Sequence, residues 1–179
     1  PLSSKNAPII DYKNIGLLKK YYKSSNKQLY ADANGTLRVT YGNVKAVSLK
    51  DGLTYEPFTR LEGIPQKHTG EEPFNASDKL LNLINKKDYG DYYYEPVNSV
   101  PVNFLSTLDI TNGNSGSATI NSDFELVGLA FDGMLETIIA DYKYIPEART
   151  ISVDSRYFLW TLDKLENAEN ILEELSITK

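Results

Sequence analysis

Asp109-Ile110-Thr111-Asn112-Gly113-Asn114-Ser115-Gly116-Ser117 is the stretch on which the reading of this chain turns. Two glycines flank a serine in a turn-like segment that runs directly into an expected strand at Ala118–Asn121. Glycine at 113 and 116 lets the backbone take positive φ and approach a ligand closely. A serine held in such a turn can present its hydroxyl to a cleft. The amides of Gly113 and Ser115 can then converge on one point, where donors fixed in advance suit a tetrahedral oxyanion. The same residues also make an ordinary surface turn, and a short motif alone does not separate the two readings.

The nucleophile-elbow pattern G-x-S-x-G fails, because position 117 is Ser. The pattern that fits is the trypsin-like Gly-Asp-Ser-Gly with Asn114 in place of the aspartate. A neutral Asn114 cannot pair with a freed N-terminal amine, so activation of Ser115 is not expected to run through that switch. Asn114 and Thr111 read as turn-stabilising. Asp109, six residues before Ser115, stands where a trypsin-like enzyme carries its specificity carboxylate, an analogy that would predict Lys or Arg at P1.

Composition narrows the chemistry. The 179 residues are 41% hydrophobic and 24% charged, a globular balance with enough chain for a sizeable core. Cysteine is absent, which removes thiol nucleophiles, disulfides and thiolate metal sites. The single histidine, His68, sits in Pro65-Gln66-Lys67-His68-Thr69-Gly70 and reads as a solvated loop residue. A net charge of −5 without a Lys/Arg stripe argues against nucleic-acid partners. No window approaches the ~20 apolar residues of a membrane span. No metal or cofactor is expected. The chain opens Pro1-Leu2-Ser3-Ser4-Lys5, has its only methionine at Met134 and shows no signal peptide, so it is expected to be an excised or processed piece.

Periodicity predicts a helix over 17–28 and strands at Thr36–Tyr41, Lys45–Leu49, Leu53–Tyr55, Val100–Leu105 and Thr150–Val153. Ala118–Asn121 and Phe124–Phe131 form an expected hairpin across Ser122-Asp123. Gly63–Asn75 reads as a loop, Ser77 as a helix cap, and Lys86–Pro96 as a Tyr-rich surface excursion. From Ser155 the period becomes helical, with Tyr157, Phe158 and Trp160 as core residues.

The wider context adds more. Asp-Ile-Thr-x-Gly-Asn-Ser-Gly-Ser, Leu-Val-Gly-Leu-Ala-Phe-Asp-Gly (126–133) and Arg-Thr-Ile-Ser-Val-Asp-x-Arg-Tyr (149–157) resemble the S46 serine peptidases, dipeptidyl-peptidases of the DPP7/DPP11 type. Asn-Gly-Thr-Leu-Arg-Val-Thr-Tyr-Gly (34–42), Lys-Asp-Gly (50–52), Lys-Asp-Tyr-Gly (87–90) and Val-Asn-Phe-Leu-Ser-Thr (102–107) match in order and spacing. The resemblance implies a mainly β fold: the C-terminal barrel of a chymotrypsin-like double β-barrel, with a helical N-terminal piece and a C-terminal helix. Residues 1–33 would end an inserted helical domain, 34–154 would form the second barrel, and 155–179 the C-terminal helical segment.

It further implies Ser115 as nucleophile, Gly113 and Ser115 as oxyanion amides, Asp132 as receptor for the substrate α-amine, and Asp109 as structural rather than a specificity carboxylate. On its own residues Asp132 reads first as a turn or strand-end aspartate before a glycine. Gly133 matches an S1-pocket position, where glycine resembles the hydrophobic-P1 type and arginine the acidic-P1 type. Asn112 stands where Gly is usual, Ala118 where Pro is usual, and Met134-Leu135-Glu136-Thr137 departs from the family's run. The family's catalytic His and Asp belong to a first barrel absent from this sequence, so the fragment alone is expected to be inactive. The implied partners are a peptide with a free N-terminus and the missing N-terminal barrel. The resemblance also admits a homodimer of the parent and a periplasmic or secreted location. Two other readings stay open: a non-catalytic peptide-binding trypsin-like module, and a self-sufficient hydrolase using His68.

Overall fold

The computed structural model describes residues 12–26, 37–139 and 145–178. They fall into two units, Pro1–Gly35 and Thr36–Lys179. The first contains α1 (Tyr12–Ser24), which starts earlier than the periodicity predicts and runs through Gly16. Ser25 N–H and the Ser24 hydroxyl both donate to the Tyr21 carbonyl and close its end. Positions 27 and 28 lie outside the described residues.

The second unit is built on antiparallel sheets. β1 (Val47–Lys50) and β2 (Leu53–Tyr55) form a two-stranded ribbon around Asp51-Gly52, where Gly52 takes φ 73°. The main sheet has five strands in the order β3-β4-β7-β6-β5. These are β3 (Phe58–Arg60), β4 (Pro101–Ser106), β5 (Ala118–Ile120), β6 (Leu126–Gly133) and β7 (Thr150–Asp154). β7 lies at its centre, pairing Asn103 with Val153 on one side and Gly128 with Asp154 on the other. The hairpin expected across Ser122-Asp123 forms as β5 and β6.

Several expectations are corrected. The described strands make a five-stranded sheet and a two-stranded ribbon, and helices are mixed with them rather than the unit being mainly β. Residues 37–41 form no strand. Chain pairing starts only where Asn43 accepts from Thr107 N–H and Val44 bridges Ser106, so 37–41 find no neighbour to ladder with among the described residues.

The expected loop at 63–75 opens with α2 (Gly63–Lys67). Pro65 is tolerated there because the first helical turn has no use for its missing N–H, and Ile64 packs on the core. The Tyr-rich excursion is also less exposed than its polarity suggests. It carries short 3₁₀ turns at Gly90–Tyr92 and Glu95–Val97, and Tyr89 and Tyr92 pack against the core.

That core centres on Leu61, Ile84, Val100 and Trp160. Trp160 is fully buried and donates its indole N–H to the Asp88 carbonyl at 2.8 Å. It comes from α4 (Ser155–Trp160), which passes into a π-helical turn at Thr161–Leu165 before the short α5 (Glu169–Leu172). α3 (Asp78–Lys86) lies on the same core and is capped as expected: Ser77 Oγ accepts from Leu80 N–H. Asp154 ends β7 and caps α4. Its carboxylate accepts from Arg156 N–H and Nε at 2.9 Å and from Nη2 at 2.7 Å. The guanidinium so fixed lies over the Tyr94 ring, 3.9 Å from its centroid.

Glu62 joins the Tyr-rich excursion to the sheet. Its carboxylate accepts from the Tyr89 hydroxyl and from Ser99 Oγ. Burial by itself raises this carboxyl, but hydrogen bonds from Tyr89 and Ser99, with Lys87 nearby, outweigh it and hold the group below its ordinary value. In the same cluster burial, and then the Glu62 carboxylate, push Tyr89 up to about 12. A lowered carboxyl pKa stabilises the fold above the unfolded value and loses that contribution as pH falls through the folded one. The stability gap between wild type and Glu62→Gln should therefore be full at neutral pH and shrink as pH drops below 4.5, read by urea unfolding across pH 7 to 3.

Candidate active site

The turn at 109–117 connects β4 to β5 and is held from both sides. At its start Asp109 N–H donates to Thr40 Oγ1 at 3.0 Å, which gives this half-buried aspartate a structural setting. Within it, Asn114 Oδ1 accepts from Thr111 N–H at 2.9 Å, and Ser117 N–H donates to the Asn114 carbonyl at 2.9 Å. Asn114 thus organises the turn through its neutral amide, as its sequence position suggests. Gly113 and Gly116 have φ 90° and 85°, in the left-handed region that side-chain-bearing residues rarely enter.

At its end the turn is fastened to β6. Gly116 N–H donates to the Ala130 carbonyl at 2.7 Å, and Ala130 N–H donates to the Ser117 carbonyl at 2.9 Å. Ser115 is exposed, and its Oγ donates to the Phe131 carbonyl at 3.4 Å. Among the described residues, the amides of Gly113 and Ser115 donate to no acceptor.

The strand beneath carries a feature no sequence pattern announces. Ala130 pairs with Ser152 and Asp132 with Ile151, so Phe131 is an extra residue, a β-bulge. Gly128 and Ala130 are buried. Continued alternation would put Asp132 on that same buried face. The bulge breaks the alternation, and Phe131 and Asp132 are both exposed. Asp132 Oδ1 accepts from Gly133 N–H at 2.8 Å. Ser115 and Asp132 therefore meet through one residue: the hydroxyl of the first contacts the carbonyl that immediately precedes the second.

β6 ends at Gly133, which pairs with Thr150. The chain then turns through a 3₁₀ segment, Leu135–Ile139. Met134 N–H donates to the Arg149 carbonyl at 3.0 Å, tying the departing limb to the returning one. Arg149 is itself buried. Its guanidinium donates to the carbonyls of Lys45 (3.2 Å), Ala46 (3.1 Å), Pro146 (2.7 Å) and Ala148 (2.7 Å). Sequence reasoning missed Arg149, although it begins one of the matched blocks. Its position just before β7 gave no hint of a buried cation held by carbonyls.

His68 is elsewhere. It caps the end of α2, and its Nδ1 accepts from Ala76 N–H at 3.0 Å. α2 follows β3, at the opposite side of the sheet from β5. With β4 and β7 intervening, β3 and β6 are roughly 14 Å apart at ordinary strand spacing.

A serine at the apex of a glycine-flanked turn, with unengaged amides beside it and a carboxylate one residue from its contact, is an arrangement suited to acyl transfer. The sequence model of the Peptidase S46 family matches residues 15–177, and the chain belongs to that family. The chain is 44% identical to the Asp/Glu-specific dipeptidyl-peptidase of Shewanella putrefaciens, over 89% of its own length and 25% of the relative's. It is 40% identical to dipeptidyl-peptidase 7 of Phocaeicola vulgatus, over 93% of its own length and 24% of the relative's. It thus spans about a quarter of these relatives. Among solved structures, Porphyromonas endodontalis DPP11 in complex with the dipeptide Arg-Asp superposes with a TM-score of 0.73 at 36% identity, covering 75% of this chain and 20% of that one.

The turn's dependence on Asn114 is testable. Asn114→Ala removes the acceptor of the Thr111 amide and should destabilise the protein by about 1 kcal/mol. Asn114→Asp keeps an acceptor and should cost less than half of that, with both measured by denaturant unfolding.

Proposed function

We propose that this chain is the nucleophile-bearing C-terminal part of a serine exopeptidase that releases dipeptides from free N-termini. The observation that carries this reading is the fastening of the Ser115 turn to Ala130, beside the bulge that turns Asp132 outward. Relatives named dipeptidyl-peptidases and a solved relative holding a dipeptide support it. Residues 34–154 would be the second of two chymotrypsin-like barrels, 1–33 the end of an inserted helical domain, and 155–179 a C-terminal helical segment. The first barrel would contribute the His and Asp that activate the serine.

In this mechanism Ser115 Oγ leaves the Phe131 carbonyl and attacks the scissile carbonyl carbon, passing its proton to the histidine of the remaining chain. The oxyanion forms against the Gly113 and Ser115 amides. The imidazolium returns the proton to the leaving amine, and water then releases the dipeptide from the acyl-enzyme by the same steps. Asp132 receives the substrate α-ammonium in a charge-assisted hydrogen bond, which measures two residues from the chain end. No metal or cofactor takes part. Without the first barrel Ser115 has no base, so the isolated fragment is inactive.

The residues around Gly133 favour a hydrophobic P1. Phe131, Leu135 and Ile138 are exposed apolar neighbours in sequence, and residues 109–139 contain no Lys or Arg to meet an acidic side chain. The parent is periplasmic or secreted in this reading, as an exopeptidase acting on external peptides would be, and can act as a homodimer. The departures at Asn112 and Ala118 favour one other reading, a peptide-binding module without catalysis.

Two experiments on the full-length protein separate these. Ser115→Ala should lower turnover of a fluorogenic dipeptidyl substrate at least about 10³-fold, while a binding module would show no turnover to lose. Wild type should cleave free-amine substrates and fail on their N-acetylated forms. Asp132→Ala should lose about 10²-fold or more in kcat/KM on the free-amine substrate, since the substrate ammonium loses its charge-assisted partner; equal rates on both substrate forms in wild type would remove Asp132 from the amine-sensing role.

A further inference from the structure

We infer that Thr137 is a specificity-determining residue of the S1 pocket, because its side chain occupies the space that a side chain at 133 would need. This rests on the placement of Gly133 in that pocket under the proposed function.

The two glycines of β6 lack a side chain for different reasons. At Gly128 an added Cβ would lie 2.5 Å from the Val153 carbonyl oxygen and 2.7 Å from Phe104 Cε1. The first of these is backbone in a paired strand and cannot yield, so Gly128 is required by the sheet itself. At Gly133 no backbone atom of another residue is among the nearest obstacles. An added Cβ would overlap Thr137 Oγ1 and lie 3.0 Å from both Cβ and Cγ2 of that threonine. Gly133 is also not among the positive-φ residues, so its backbone would accept any L-residue. The exclusion at 133 comes from a single side chain.

That side chain is pinned. Thr137 Oγ1 donates to the Met134 carbonyl at 2.6 Å, and Thr137 N–H donates to the same oxygen at 2.8 Å. Met134 N–H is in turn bonded to the Arg149 carbonyl. Rotating Thr137 away from Gly133 breaks the hydroxyl bond, so its hydroxyl and methyl hold one orientation over the glycine. The wall of the pocket at this point is therefore two residues acting together: the absent side chain of Gly133 and the locked side chain of Thr137. Its hydroxyl proton is already engaged, so the pair offers a P1 side chain methyl surface and glycine backbone rather than a free donor. The depth of the pocket, and with it the size of P1 that fits, is set by Thr137.

The test is a double-mutant cycle in the full-length protein, with dipeptidyl substrates that differ only in P1 (Ala, Val, Leu, Phe). Thr137→Ala removes Oγ1 and Cγ2 and should raise the Phe-to-Val ratio of kcat/KM by about tenfold, mostly through KM, the usual scale for one or two carbons in an apolar pocket. Gly133→Ala alone should cost at least about tenfold on Leu and Phe. Adding Thr137→Ala to it should recover most of that loss, which a role in folding stability alone would not produce. An unchanged P1 profile in Thr137→Ala, or equal losses in Gly133→Ala with and without it, overturns the inference. Should Gly133→Ala fail to fold, the P1 profile of Thr137→Ala decides. Failure of the underlying reading looks different: Ser115→Ala would keep its turnover, or N-acetylated substrates would be cleaved as fast as free ones.

Discussion

Ala130 is the residue on which the site hangs. Its carbonyl takes the Gly116 amide and its amide feeds the Ser117 carbonyl, so one buried position in β6 fastens both sides of the residue that follows Ser115. Backbone bonds of this kind hold the turn at no cost in side-chain entropy, and their Ala130 end is buried. The next residue is the bulge. Placement of the serine and exposure of Asp132 thus arise within three consecutive residues of one strand, and neither can shift without the other.

The energetic weight of the unit lies away from this strand. Trp160, Leu61, Val100 and Ile84 form the buried cluster at the β3 side of the sheet, where α2, α3 and α4 cover it. Asp154 and Arg156 lock α4 to the central strand at that end. Along the β6 side, the turn, the bulge and the Gly133 end remain exposed. Side-chain packing thus holds one edge of the sheet, and backbone hydrogen bonds hold the exposed one. Arg149 serves the open side as a strut. A cation buried among carbonyls of two separate segments orders both, since moving either leaves charge and dipoles unpaired.

Much of this was legible in the residues. Local chemistry marked the Gly113–Gly116 turn, the Ser77 cap, the Asp51-Gly52 ribbon and the hairpin between β5 and β6. Helical spacing marked Trp160 and Tyr157 as packing residues. The misses share a cause. At 37–41, alternation signalled a strand, but a strand needs a neighbour, and pairing begins only at Asn43. At 63–67, Gly and Pro signalled a loop, although Pro in a first helical turn is harmless when the adjacent Ile64 finds a core. The tyrosines at 89 and 92 looked superficial until Glu62 and the Trp160 cluster gave them partners.

By itself the sequence determined the kind of chemistry available: a serine between glycines, no thiol, one histidine in an unrelated loop, and an aspartate beside a glycine seventeen positions on. It also determined the family, because ordered blocks over most of the chain carry more information than any one motif. Only the tertiary structure decided that Phe131 bulges, that Asp132 faces outward beside Ser115, and that Thr137 covers Gly133. Those facts depend on register between strands and on contact across a turn. Neither is encoded at a fixed spacing, since each is settled by which neighbour the backbone finds when the sheet assembles.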